Sequence, residues 1–279
     1  MNPLGVELDL IRTSVGGRHT KRDVIRVFGS DSRSFLQGQL TQDISHLETG
    51  KVRWTMILSP KGRVEALVRV WGGNSESEML LDCPSGMGSV VVERLNRYRM
   101  RVKAEVELLD WEILSLYGPQ AQSLAGTITA QLREPRPWSE SPGMDLLGPT
   151  ISVPDDLLMV SADLAEAIRI ADMWPAMSTE VLGVDPAPIP VELGQRVCDL
   201  AIDMDKGCYT GQELVARTSS RVAEAPRSLV RVATGDESPL ESGTEIDVDD
   251  SPAVVTSSAH ALDGNGVVAL AFRKRGPRP

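Results

Sequence analysis

The chain is poor in cysteine, in histidine and in long apolar runs. Its three cysteines, Cys83, Cys198 and Cys208, contain no C-x-x-C pair. An odd, scattered set argues against a disulfide framework and for a reducing, cytoplasmic setting. It is also too small for a self-contained four-cysteine cluster site, so any such cluster would be transient or shared with a partner. The three histidines, His19, His46 and His260, stand apart with no partner motif, so no metal site is expected. No apolar run approaches the ~20 residues that a membrane helix needs. The opening Met1-Asn2-Pro3-Leu4-Gly5 does not start a signal peptide. Positive charge is outnumbered: 29 Lys+Arg against 39 Asp+Glu give a net charge of -10. That argues against non-specific binding to nucleic acid or to an anionic membrane, while leaving room for a local basic pocket.

At 279 residues, with 41% hydrophobic and 24% charged content, the chain can bury a large core in two or three domains. Its densest chemistry lies in Lys206-Gly207-Cys208-Tyr209-Thr210-Gly211-Gln212-Glu213, followed by Leu214-Val215-Ala216-Arg217. Thr210 and Glu213 have the spacing of a capping box, which predicts a helix from Gly211. Cys208 would then precede a helix N-terminus, where the dipole and the Lys206 cation both favour a thiolate. The alternative is a tight turn in which Cys208 is a small packing residue.

The rest of the chain reads as alternating strands and helices. Strands are expected at 24–28, 52–58, 64–71, 79–81 and 102–109, with Pro60 and Gly62 turning the second into the third. Helices are expected at 34–37, capped by Asp31 or Ser32, and from Pro84 or Ser85 to Tyr98. A second series follows: a strand at 111–117, a helix at 121–124, a strand at 157–160 and a helix at 163–170. Phe28-Gly29 followed by Ser34-Phe35-Leu36 is echoed by Tyr117-Gly118 followed by Ser123-Leu124-Ala125. The pattern implies an α+β protein of two ferredoxin-like halves, 1–110 and 111–224. Pro186, Pro188 and Pro190 imply an extended, stiff connection across the surface. Strands at 229–232, 253–256 and 267–272, the last preceded by the turn Asp263-Gly264-Asn265-Gly266, imply a small β-barrel-like module over 225–279. The basic ending Arg273 to Pro279 reads as a solvated tail.

The Lys206–Glu213 motif with Arg217 resembles the signature of the YgfZ-type folate-binding proteins. These are relatives of the glycine-cleavage T-protein, an aminomethyltransferase, and of mitochondrial iron–sulfur cluster assembly factors. Phe35-Leu36-Gln37-Gly38-Gln39-Leu40-Thr41-Gln42-Asp43, Lys61-Gly62-Arg63 and Ile189-Pro190-Val191-Glu192 are similar to further family segments. Asp172-Met173-Trp174 depart from the family pattern where a glycine is common, as does Val222 after Arg221. The resemblance implies a tetrahydrofolate-binding accessory protein (or one using a one-carbon derivative) that serves iron–sulfur client enzymes or their assembly machinery. A folate-dependent aminomethyltransferase-like one-carbon transferase is the alternative.

Folate needs a carboxylate or amide at the pterin edge, an apolar slot, and a cation for its glutamate tail. Glu192 takes the pterin edge by its place in the family motif, though composition alone makes it a surface glutamate. Tyr209 lines the slot or is simply buried. Gln212 and Glu213 fix the loop and helix cap. Arg217 meets the tail or braces Glu213. Cys208, assisted by Lys206, is the thiol. The implied cleft lies between the halves, with Glu192 and the Lys206–Gly211 loop on one wall. Asp43 and Asp82 are carboxylates with no local partner to mark them as catalytic, so turnover is left open.

Overall fold

The computed structural model describes residues 4–218 and 225–275. Arg221 and Val222, and the last residues of the basic tail, lie outside the described residues. In chain order the elements are α1 (Gly5–Thr13), β1 (Gly16–Phe28), α2 (Ser32–Gln37), β2 (Val52–Leu58), β3 (Val64–Gly72), β4 (Glu78–Pro84) and α3 (Gly88–Tyr98). Then come β5 (Glu105–Tyr117), α4 (Ala121–Ala125), β6 (Leu132–Pro135), β7 (Gly143–Gly148) and α5 (Ala162–Ala171). After a π turn (Met177–Val181) and a 3-10 turn (Pro190–Leu193) follow α6 (Gln195–Ala201), α7 (Gln212–Thr218), β8 (Arg227–Thr234), β9 (Glu245–Val248), β10 (Ser251–His260) and β11 (Val267–Lys274). The class is α+β, as the sequence implies.

The chain forms two compact units. One comprises residues 21–111 and 181–224, the other residues 1–20, 112–180 and 225–279. Strands β1 and β5 each run from one unit into the other.

In the first of these units β2, β3, β4 and β1 pair antiparallel in that order. The expected period of two in β3 holds for Val64, Ala66, Val68 and Val70, all buried. Leu67, Arg69 and Trp71 on the opposite face are buried as well, so this strand is covered on both sides. Helix α3 begins at Gly88, later than Pro84 or Ser85. Pro84 still pairs with Arg22 in the sheet, and the Asp23 carboxylate accepts from the Gly88 amide at 2.7 Å.

In the other unit β5, β7 and β6 pair antiparallel. Leu114, Leu116, Met144 and Leu146 face a core closed by Ala121, Ala125 and Ile128. The separate strands expected at 102–109 and 111–117 are one thirteen-residue strand. The strand expected at 157–160 is reduced to a single bridge, Gly17 to Met159. Leu158 and Met159 are exposed there, so no second face is available to bury a strand. Strands β6 and β7 were missed, because Arg133-Glu134-Pro135 hides the first and glycines flank the second. The C-terminal strands pair as β8-β11-β10-β9, an antiparallel four-stranded sheet. Arg169 on α5 donates to Ser257 on β10 at 2.8 Å and ties the sheet to the helix.

The two strand–glycine–helix turns match atom for atom. Gly29 and Gly118 have φ of 124° and 114°. A Cβ on Gly29 would lie 2.4 Å from the Lys103 carbonyl oxygen, and one on Gly118 would lie 2.3 Å from that of Ser14. The same two carbonyls accept from the amides of Asp31 and Gln120, two residues on in each turn. Only glycine fits such a close approach at positive φ.

Candidate functional site

Four stretches singled out in the sequence meet in the unit formed by residues 21–111 and 181–224. Helix α2 ends at Gln37, and the chain turns through Gly38 to Asp43. Thr41 organises that turn: its hydroxyl donates to the Ala201 carbonyl at 2.6 Å and accepts from the Met56 amide at 2.8 Å. The Gln42 side chain donates to the Leu200 carbonyl at 3.1 Å, and the Asp203 amide donates to the Thr41 carbonyl at 3.0 Å. The C-terminus of α6 is thereby fixed to the 38–43 turn.

Lys206 locks the same turn. Its Nζ donates to the carbonyls of Gln37, Leu40 and Gln42 at 2.8, 2.6 and 2.9 Å. It also lies 5.2 Å from the centre of the Tyr209 ring. Three acceptors require three donors, and only the charged ammonium carries three. Burial pulls the Lys206 pKa down to about 8, while Asp43 and Asp203 pull it back up. The ammonium is therefore committed to the loop's own architecture.

The loop continues through Gly207 and the exposed Cys208. The capping box expected from Thr210 and Glu213 takes a different form. Thr210 donates its amide to the Gly38 carbonyl at 3.1 Å, and the Tyr209 amide is answered by Gln212 Oε1 at 3.0 Å. Helix α7 starts at Gln212, one residue after Gly211. Gly211 faces the β2–β3 turn: a Cβ there would lie 2.5 Å from the Ser59 carbonyl oxygen and 3.2 Å from Gly62 Cα. A Cβ on Gly62 would in turn lie 2.6 Å from Leu214 Cβ. The glycines of Lys61-Gly62-Arg63 and of the thiol loop thus permit one backbone-to-backbone contact. Arg63 donates to the Ala187 carbonyl, and the Val64 amide to that of Pro188, which places the segment leading to Glu192 beside the same turn.

Glu192 is buried on the 3-10 turn, and its carboxylate accepts from the Ile189 amide at 3.0 Å. Tyr209 is half-buried, and burial pushes its phenol up to about 12. Arg217 is exposed, and its Nε donates to the Glu213 main-chain carbonyl at 3.2 Å, one turn back. The bracing anticipated for Arg217 is made, but to backbone and not to the carboxylate. Cys198 is half-buried and Cys83 fully buried, and burial pushes both thiols up to about 12.

Asp43 and Asp203 are contributors that spacing alone did not mark. Asp43 accepts from the Gln37 side chain at 2.7 Å and from the Ser45 amide at 3.0 Å. The Ser45 bonds, offset by burial, hold its carboxyl below the usual range. Asp203 accepts from the amides of Asp205 and Lys206 at 2.9 and 3.1 Å. Both line a polar cavity of about 480 Å³, together with Gln42, His46, Lys51 and Arg53. Among the described residues no group of three or more His, Cys, Asp or Glu could hold a metal ion. No described helix is long and apolar enough to cross a membrane.

Residues 5–141 match the GCVT N-terminal domain family. The glycine cleavage system aminomethyltransferase T from Bartonella henselae superposes with a TM-score of 0.74 at 18% identity, covering 98% of this chain and 82% of that one. The chain therefore has the aminomethyltransferase T fold. It is 27% identical over 215 residues to the tRNA-modifying protein YgfZ of Vibrio vulnificus, covering 71% of this chain and 64% of that protein. It is 29% identical over 231 residues to the mitochondrial iron–sulfur cluster assembly factor IBA57 of Homo sapiens, covering 71% and 60%. The chain thus spans less than two thirds of the length of either relative. The chain is similar to GCVT-like proteins and, among its curated relatives, to those of the YgfZ type.

Proposed function

We propose that this protein binds tetrahydrofolate, or a one-carbon derivative of it, and supports the assembly or repair of iron–sulfur enzymes, with Cys208 as its working thiol. The observation that carries the thiol role is the contrast among the three cysteines. Cys208 is exposed on a loop pinned by Lys206 on one side and by Thr210 and Gly211 on the other, while Cys83 and Cys198 are withdrawn and hard to ionise. A thiol on a fixed, open loop can approach a partner's cluster or thiol without refolding. The names of the Vibrio and human relatives support the iron–sulfur and tRNA-modification context.

The residues fit a folate in kind. Glu192 supplies a buried carboxylate, which offers about four acceptor positions, one of them directed at Ile189. Tyr209 supplies an aromatic face, and Gln212 holds the loop that carries it. Arg217 is an exposed cation further along the same helix. In this reading residues 1–110 and 111–224 are two related α+β halves and 225–279 a β module, supported by the matched turns at Gly29 and Gly118. A one-carbon transferase is the second reading, favoured by the shared fold with aminomethyltransferase T.

Titration of the full chain with tetrahydrofolate should saturate, in the wild type and in Cys208→Ser alike. Alkylation at neutral pH should modify Cys208 well ahead of Cys83 and Cys198. A Cys208 rate no faster than the others removes the thiol role. Consumption of tetrahydrofolate with an aminomethyl donor would move the conclusion to the transferase.

A further inference from the structure

Arg136, which follows β6, is a buried cation. It is 5% exposed, and among the described residues it makes no ion pair. Its Nη2 donates to the Leu116 carbonyl at 2.7 Å. Among the described residues its Nε and Nη1 are sealed from water and have no hydrogen-bond partner. The guanidinium is held flat all the same. It stacks 3.8 Å from the Tyr117 ring centre and 5.7 Å from that of Trp138, and presses on Gly143, where a Cβ would fall 1.8 Å from Nη2. Asp145, two residues along β7 from Gly143, already accepts from the Ser115 hydroxyl at 2.7 Å.

Burying a cation with open donors is costly, and proteins answer it with an acceptor. Stacking on aromatic faces offsets part of that cost but leaves the in-plane donors unmet. A rigid, planar, unpaired guanidinium is the group best suited to bind an oxyanion. The route in is short. Trp138 is only half-buried, and Pro137 and Glu140 on the same segment are exposed. We propose that Arg136 is the centre of an oxyanion-binding site that takes a carboxylate or phosphate group, reached by displacement of Trp138. This site is independent of the Cys208 loop and of the folate reading.

The test uses the full chain. The Nε–H resonance of Arg136 is followed by NMR, and tryptophan fluorescence reports on Trp138, which stacks on Trp174 at 5.6 Å. Inorganic phosphate and glutarate are titrated separately against chloride at matched ionic strength, which separates a phosphate source from a carboxylate source. The expected result is a saturable shift of the Arg136 signal with at least one of the two and none with chloride. Arg136→Lys, which keeps the charge but loses the fork, should weaken binding at least tenfold. Gly143→Ala keeps every functional group and pushes the guanidinium aside, so it should weaken binding as strongly even if the lysine variant folds poorly. No saturable response to either anion, or an undiminished response in Gly143→Ala, overturns the proposal.

Discussion

Two carboxylates, Asp82 and Glu180, are fully buried, one in each compact unit, and they are answered by different means. Asp82 on β4 is held mainly by charge. Arg22 Nε and Arg69 Nη2 reach one oxygen at 2.7 Å each, while Arg69 Nε at 2.9 Å and Trp71 Nε1 at 2.7 Å reach the other. Glu180 in the π turn meets one cation, Arg169 Nη1 at 3.1 Å. Its remaining donors are neutral: the Ala176 amide at 2.8 Å, Thr179 and Ser257 at 2.7 Å each, and Thr256 at 2.6 Å. The first arrangement sits in a sheet and carries an excess positive charge. The second shares one arginine between Glu180 and Glu166, so it carries an excess negative charge, and it joins α5, the π turn and β10. A buried charge answered by charges depends on staying ionised; one answered by hydroxyls and amides depends more on geometry.

Removing the charge at each site sharpens that contrast. Asp82→Asn removes the carboxylate charge that Arg22 and Arg69 share and should cost about 3–5 kcal/mol, read from urea denaturation at pH 7. Glu180→Gln keeps an acceptor oxygen, its hydroxyl donors can rotate, and Arg169 retains Glu166 at 2.5 Å, so the loss should be about 1–3 kcal/mol. Equal losses would break the distinction. Acid should act on both. Burial pushes the Asp82 carboxyl up, but Arg69 and Arg22 hold it well below the ordinary range. Burial likewise raises Glu180, and Arg169 with Thr256, Thr179 and Ser257 brings it below. Each therefore contributes stability that is fully present above the unfolded values of about 4 and is lost as pH falls through the folded ones. The gap between wild type and Asp82→Asn should narrow progressively as pH falls below about 4, and a gap that stays constant as the pH is lowered further would point to packing as its cause.

Local chemistry made part of this legible in the sequence. The echo of Phe28-Gly29 in Tyr117-Gly118 was visible because a close backbone approach admits one residue type, and the hairpin at Lys61-Gly62-Arg63 because Pro60 and Gly62 leave few alternatives. Asp82 was seen as a carboxylate with no local partner. Its partners stand 13 and 60 residues away and arrive only through strand pairing. The Lys206 assignment shows the same limit. Proximity in sequence suggested Cys208 as its target, while the three carbonyls it meets lie more than 160 residues upstream. Thr210 and Glu213 had the spacing of a cap, yet a tertiary acceptor, the Gly38 carbonyl, took the Thr210 amide first. Continuous β5 was split because nothing in Leu109-Asp110-Trp111 reports that both parts belong to one ladder.

Lys206 extends the comparison to a half-buried cation whose hydrogen-bond acceptors are all main-chain carbonyls. It is half-buried, so water can reach part of the site once the ammonium is gone. Lys206→Met should therefore cost less than either carboxylate change, about 1–2 kcal/mol at pH 7. Its pH dependence has the same sign as theirs, because its folded pKa is also depressed, but it lies in the alkaline range and arises from burial of the charged form. Burial holds the folded pKa at about 8, below that of an unfolded lysine, so the folded state gives up its proton first. Below pH 8 both states are charged and the desolvation penalty is complete. Between pH 8 and about 10.5 the unfolded chain binds more protons, and the wild type gains on Lys206→Met. Urea midpoints of the two proteins at pH 7, 9 and 10 measure this directly. A difference that shrinks as pH rises would mean that the three carbonyls, through the charged ammonium, outweigh burial, and that Lys206 behaves like the charge-answered Asp82.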